Sequence, residues 1–229
     1  MHQAAEASSW GKRVRERLVD SPTSLGARAR SRRWDVFTSL FPDIEQMRVV
    51  DLGGTVESWR RAPVQPREVV VVNLLEPGDA DTSRLVPVLG DACDARGVLA
   101  SCGVDETFDL VFSNSLIEHV GGHAHRLALA REVRELAPRH WVQTPYRYFP
   151  VEPHWVFPMM QFLPVAARTR VARDWPLVHT RAASAEEALA DVQWTELIGI
   201  TELRGYFPDS EVVMERMGGL VKSIVSVRR

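Results

Sequence analysis

Cysteine is nearly missing from this chain: Cys93 and Cys102 are the only two in 229 residues. They stand without the spacing of a metal ribbon and are too few for a disulfide framework, so both are read as reduced thiols. Long apolar runs are missing too. The strongest before mid-chain, Val69 to Val72 with Leu74 and Leu75, falls far short of the ~20 residues that span a bilayer. His2 to Trp10 is polar and has no apolar leader segment, so no secretory signal is expected and the compartment is read as cytoplasmic. Nor is there an excess of positive charge. Lys plus Arg number 28 against 30 Asp plus Glu, a net charge of −2, which argues against nucleic acid as the obligatory partner. Two nucleotide motifs are absent. After Gly53 neither the second glycine nor the lysine of a phosphate loop follows, which disfavours ATP and GTP. Gly54-Thr55-Val56-Glu57-Ser58 does not complete a dinucleotide fingerprint, and Glu57 would face a pyrophosphate badly.

What remains is an ordinary globular composition, 45% hydrophobic and 25% charged, with length for one substantial domain. Residues 12–33 carry eight basic residues, Arg28, Arg30, Arg32 and Arg33 among them, against Glu16 and Asp20. This reads as a helical arm, either a solvated face or a cover that attracts an anionic acceptor or a second subunit. From Met47 onward, apolar runs alternate with helical patterns, the signature of a parallel sheet with crossover helices. The runs are Met47 to Leu52, Glu68 to Leu75, Val86 to Leu89, Phe108 to Ser113 and His140 to Thr144. Leu129, Val133 and Leu136 predict a helix over 123–137, closed by Pro138. Pro145, Pro150, Pro153, Pro158 and Pro164 then forbid a long regular element, so 145–183 reads as an insertion rather than a strand and helix. Ser184 and Glu187 match a capping box, and Glu211 to Met217 with Leu220 to Val227 reads as a hairpin around Gly218-Gly219.

The sharpest local feature is Asp51-Leu52-Gly53-Gly54-Thr55 at the end of the first strand, where an open α/β sheet binds ligands. Such a turn could equally only redirect the chain. From here the sequence resembles the class I S-adenosylmethionine-dependent methyltransferases, strongly over 47–144 and more loosely in the last strands. The resemblance implies a Rossmann-like doubly wound α/β sheet, mostly parallel, with an antiparallel C-terminal hairpin strand and helices on both faces. It also implies S-adenosyl-L-methionine as cofactor, with S-adenosyl-L-homocysteine as product. Asp51, Gly53 and Gly54 would then hold the methionine moiety. Asn73, with Glu76 three residues on, would lie at the ribose, and Asp91 and Ala92 beside the adenine. Phe108-Asp109-Leu110-Val111-Phe112-Ser113-Asn114 would bring Ser113 and Asn114 to the cofactor, with Glu118 and His119 lining the cofactor or acceptor pocket. The chain departs from the family's glycine loop, because Thr55 and Glu57 occupy its later glycine positions, and Asn73 replaces the usual acid.

The acceptor side is expected in the loop that starts at Gln143 and runs through Tyr146 and Tyr148 to Trp155, which holds two of the chain's three tyrosines. These aromatics could instead pack a lid onto the core. Glu152 and His154 are the candidate catalytic pair. A histidine can take the proton of an alcohol near neutral pH, and a carboxylate two residues away can orient it. Both could equally be structural in a tight proline loop. His119, His123 and His125 raise a divalent metal, but Gly121-Gly122 interrupts the helical spacing, so no metal ligands are assigned.

The domain reading is an N-terminal arm or cover over 1–46, then a methyltransferase domain over 47–229 with an acceptor-site insertion at about 145–183. The arm could mediate a homodimer. The expected function is methylation of a hydroxyl of a small or medium-sized metabolite. The segment from Thr144 to His154 is similar to segments of bacterial methyltransferases of saccharide and secondary-metabolite pathways, which points to a saccharide. Val156 to Pro164, rich in methionine and aromatics, keeps a lipid or polyketide-like acceptor open. The eroded glycine loop keeps open a non-catalytic binding module.

Overall fold

A computed structural model describes residues 24–75, 78, 84–178 and 182–229. Most of the basic arm, and Glu76, lie outside the described residues. Helix α1 (Leu25–Leu40) starts on Ser24, whose side chain accepts from the Ala27 amide, and stops before Pro42, which forbids another helical turn. Strands β1 (Arg48–Leu52), β2 (Glu68–Asn73), β3 (Leu85–Leu89), β4 (Leu110–Asn114) and β5 (Arg139–Pro145) pair in parallel. Strands β6 (Val151–Glu152) and β7 (Phe157–Pro158) form a small separate ribbon. The hairpin of β8 (Glu211–Met217) and β9 (Leu220–Arg228) completes the main sheet. The order is β3-β2-β1-β4-β5-β9-β8, and β9 runs antiparallel to both of its neighbours. This is the doubly wound, mostly parallel sheet expected from the sequence.

Helices cover both faces, so the central strands read as unbroken valine runs: Val69 to Val72 are all fully buried. Successive side chains alternate between two apolar layers. Val50, Leu52, Val70, Val72 and Val111 pack against α3 (Ala95–Ser101), α4 (His123–Leu136) and α7 (Ile200–Tyr206) through Leu99, Leu129, Val133 and Leu203. Val49, Val69, Val71, Leu110 and Phe112 pack against Phe37 and Phe41 from the α1 end and Val56 and Trp59 of α2 (Val56–Arg60). This alternation decides which strand-end residues can reach a ligand on each side.

The segment after β5 departs from the sequence reading in one respect. A ten-residue helix, α5 (Val165–Asp174), follows Pro164 directly. The proline series ends there, and proline is tolerated at a helix start because the first amides have no helical acceptor. With α6 (Ala185–Trp194), this segment builds a third apolar cluster around Trp155, Met160, Ala172 and Val192. Half of the expected capping box at Ser184 forms: its hydroxyl accepts from the Glu187 amide, while the Glu187 carboxylate accepts from the Ala183 amide rather than from that of Ser184. No helix among the described residues is long and apolar enough to cross a membrane.

Candidate functional site

The carboxyl edge of the sheet carries two adjoining constellations. The first is built on the turn after β1. Gly53 has φ +85°, and a Cβ there would approach the Leu116 side chain to 2.7 Å. A Cβ at Gly54 would land inside the Asp51 carboxylate. Both positions therefore demand glycine, for backbone conformation at the first and for space at the second. Asn73 clasps the turn, donating to the carbonyls of Gly53 (3.2 Å) and Gly54 (2.7 Å) and accepting from the Leu75 amide. Both of its amide protons are thus spent on backbone, and its part in the site is to shape the turn rather than to meet a ribose with free donors.

Asp51 points to the α1 side and is 1% exposed. Trp59 Nε1 donates to its Oδ2 at 2.7 Å, while Oδ1 is buried without a partner. Desolvation pushes the carboxyl up to about 7, against the lowering effect of the Trp59 hydrogen bond. Beside it lies a crevice of about 430 Å³, lined by Asp51, Gly53, Gly54, Thr55, Trp34, Trp59, Phe112 and Asn114, with Arg30, Arg33 and Arg61 at its walls. Arg33 spans the wall: its Nε and Nη2 bind Glu215 of β8 at 2.6 and 2.8 Å, and its Nη1 donates to Asn114 at 2.7 Å.

The structure thus brings Asp51, Gly53, Gly54 and Asn114 to one cavity. It does not bring Ser113, which strand alternation turns to the opposite face; fully buried, its hydroxyl donates to the Leu52 carbonyl. Asp91 and Ala92 do not line this crevice either. Asp91 caps the 3-10 turn through the Cys93 amide, and Ala92 is buried in the core. The reason is lateral: β3 is the sheet's edge strand, two places from β1.

The second constellation hangs from the turn after β4. Ser115 takes φ +58° and is pinned to Gln143, its amide to the backbone carbonyl and its hydroxyl to Oε1. Gln143 is buried, lines neither the crevice nor the cavity beside Glu152, and fixes this turn from within. The turn delivers Glu118 and His119 inward, facing Glu152 and His154. Glu152 Oε1 binds His154 Nδ1 at 2.6 Å, and its Oε2 accepts the amides of His154 and Trp155. His154 Nε2 meets His119 Nε2 at 2.9 Å, and His119 Nδ1 lies 3.5 Å from the Thr195 hydroxyl. With His154 neutral, these contacts fit His154 protonated at Nδ1 toward Glu152 and His119 protonated at Nε2 toward His154; with His154 charged, its Nε2–H donates to His119 Nε2 instead.

Glu118 is fully buried; Thr144 donates to its Oε2, and Oε1 has no partner. Burial raises the Glu118 carboxyl. Burial and the neighbouring His154 push His119 down to about 4, so it is neutral near pH 7. For His154 burial opposes the charge, but the Glu152 hydrogen bond and the charges of Glu152 and Glu118 outweigh it and raise its affinity for a proton.

Glu118, His119 and His154 offer ligand atoms within 4.8 Å of one another, the one such group among the described residues. The 2.9 Å separation of the imidazole nitrogens is that of a hydrogen bond. The metal trio weighed from the sequence is dispersed: His123 binds the Tyr206 hydroxyl, and only the backbone of His125 is engaged, by Cys93.

Of the expected aromatics, Trp155 lines a second cavity beside Glu152. Tyr146 and Tyr148 meet edge to face, with Tyr148 60% exposed, and neither lines that cavity or the crevice. Sequence reasoning missed Trp34, Trp59, Thr144 and Thr195. The Trp34-Phe37-Phe41 spacing, an apolar helical stripe, could have revealed the first.

No family model matches the chain, and no curated protein matches it. Solved structures do match its fold. An S-adenosylmethionine-dependent methyltransferase from Archaeoglobus fulgidus aligns at 11% identity over 87% of this chain and 94% of that one, with a TM-score of 0.50. A cyclopropane-fatty-acyl-phospholipid synthase-like protein from Lactobacillus casei aligns at 10% identity over 82% and 70%, also at 0.50. A Nostoc punctiforme protein described as an O-methyltransferase candidate aligns at 14% identity and a TM-score of 0.49; it covers 88% of this chain, which spans 57% of its length. At such identities the two alignments at 0.50 establish the fold and nothing finer.

Proposed function

We propose that this chain is an S-adenosylmethionine-dependent methyltransferase acting on a hydroxyl of a small or medium-sized metabolite, a saccharide by preference. The observation that carries the reading is the buried Asp51 carboxylate, with an unpartnered oxygen, beside an aromatic-walled crevice on a glycine turn at the sheet's carboxyl edge. Its volume suits a small molecule. A carboxylate and indole rings in the lining favour a cationic ligand, so the donor set fits the positively charged end of a sulfonium amino acid, while the arginines at the walls are steadied by Glu215 at Arg33 and Glu57 at Arg61. Asp51, Gly53, Gly54 and Asn114 would hold it. When bound, that cofactor supplies an electrophilic methyl group for in-line displacement.

The chain's own residues then orient the acceptor and move one proton. Neutral His154, fixed by Glu152 at Nδ1, presents the Nε2 lone pair that His119 occupies at rest. The acceptor hydroxyl takes the place of His119 as the donor to that lone pair, and Glu152 stabilises the imidazolium that results.

A lipid or polyketide-like acceptor is the second reading, favoured by the exposed side chains of Tyr148, Met159 and Phe162 after β5. The test is calorimetry with S-adenosylhomocysteine, then transfer of a labelled methyl group to saccharide, fatty and aromatic acceptors. Heat of binding with saccharide turnover is the expected result. Turnover of fatty or aromatic acceptors alone sinks the saccharide, and no heat at all reduces the chain to a scaffold without the enzyme's cofactor.

A further inference from the structure

A cavity of about 420 Å³ lies beneath the segment that follows β5, between β6, the start of α5 and the chain leaving α6. Trp155, Met160 and Val192 give it apolar surface, whereas most of the rest of its lining is polar, Gln161 and two arginines, Arg147 and Arg168, among it. Two of these polar groups are buried without a partner, Gln161 Oε1 and Arg168 Nε. The Gln161 amide cannot turn to relieve this. Its Nε2 is held by the carbonyls of Arg147 at 2.7 Å and Phe149 at 2.9 Å, which leaves Oε1 as a fixed acceptor with no donor. The cavity therefore offers one unmet acceptor and one unmet donor beside an indole ring, and each unmet group costs stability until something bonds to it.

We infer that this cavity is the acceptor subsite and that it takes a polyhydroxylated ring, with Gln161 and Arg168 as specificity-determining residues. The inference rests on the methyltransferase reading and names where its acceptor sits. Hydroxyls both donate and accept, so a single ligand class satisfies Gln161 Oε1 and Arg168 Nε together, while the C–H face of a sugar ring lies on Trp155. An anion would serve Arg168, but the cavity's other arginine, Arg147, is already held by Glu202 and the Leu197 carbonyl, and the anion would meet the Gln161 oxygen and the Glu152 and Glu196 carboxylates with the wrong sign. A hydrocarbon chain would leave both polar atoms bare. The position suits the chemistry: Glu152 and Thr195 in the lining are the residues that touch His154 and His119, so a ring held there lies one side chain from the imidazole pair, and the hydroxyl that meets His154 Nε2 is one that extends past them beyond the cavity.

The test is binding, read by saturation-transfer NMR and tryptophan fluorescence on the full chain. The probes are D-glucose, D-galactose, D-mannose and L-rhamnose, with octanoate and inorganic phosphate as counter-probes. At least one sugar should bind saturably and neither counter-probe should. Arg168→Met should weaken that sugar about tenfold or more and Gln161→Met about threefold or more, with thermal melting not lowered and S-adenosylhomocysteine binding unchanged in Arg168→Met. Arg168→Lys should recover part of the loss. The inference is overturned if S-adenosylhomocysteine binds but no sugar does, if both variants bind sugar like the parent, or if octanoate or phosphate binds instead. Sugar binding that the variants lose, in a chain that ignores S-adenosylhomocysteine, would support the subsite and refute the methyltransferase reading.

Discussion

The buried carboxylate of Asp51 makes the stability of the fold depend on pH in a direction opposite to that of a paired surface acid. Below pH 3.8 the group is protonated in folded and unfolded chains alike. Between 3.8 and about 7 the unfolded chain ionises while the fold retains the proton, so stability falls as pH rises; above about 7 the loss is complete. At about 1.4 kcal/mol per pH unit, the full span amounts to ~4 kcal/mol. An Asp51→Asn side chain cannot ionise, and its amide oxygen can keep the Trp59 hydrogen bond. Urea unfolding of both proteins from about pH 4 to about pH 8 isolates the effect, because other titrating groups cancel in the difference. The Asp51→Asn variant should gain on the parent by several kcal/mol across that range. A difference flat to within about 1 kcal/mol would show Asp51 ionised throughout and refute the dry, half-partnered carboxylate. The same group should report on the cofactor. A cation seated beside Asp51 lowers its affinity for a proton, so S-adenosylmethionine binding near pH 6 should release protons, seen as heats that scale with the buffer's ionisation enthalpy.

Gly54→Ala forces its methyl group into that carboxylate and should destabilise the fold by about 2–4 kcal/mol, measured by urea unfolding; a parent-like midpoint would contradict the close approach. His154→Gln should lower turnover roughly 10²–10⁴-fold while S-adenosylhomocysteine binds as before. Because the base must be neutral and its proton affinity is raised, kcat/KM should climb with pH to a plateau whose midpoint lies above the usual 6.5 of histidine. Glu152→Gln should move that midpoint down, and an unmoved midpoint would separate the pair. Asn73→Ala frees the Gly53-Gly54 carbonyls and should weaken cofactor binding in calorimetry without changing the imidazole-dependent pH profile.

The sheet was legible because fully covered parallel strands write themselves as valine runs, and β1, β2, β4 and β5 lie within a few residues of the runs that announce them. The glycine turn and the Glu152–His154 pair were legible for a local reason: each constellation is contiguous in sequence. Ser113 and Asn114 were not separable, since a motif names neighbours but only strand alternation assigns their faces. His119 meets His154 across 35 residues, and Thr195 meets His119 across 76. Such contacts are made by the path of the chain and leave no periodic trace. Helix α5 is hidden for another reason: the prolines ahead of it break regular structure up to Pro164 but not beyond it, where a helix can begin.

Arg33 joins an early helix to Glu215, 182 residues further along the chain. During synthesis this guanidinium has no carboxylate to grip until β8 has been made, and β8 cannot dock until β9 has followed it into place beside β5. The Arg33 part of the crevice wall is consequently finished only when β9 has seated β8, and a chain not yet extended through β9 holds the glycine turn without that pairing.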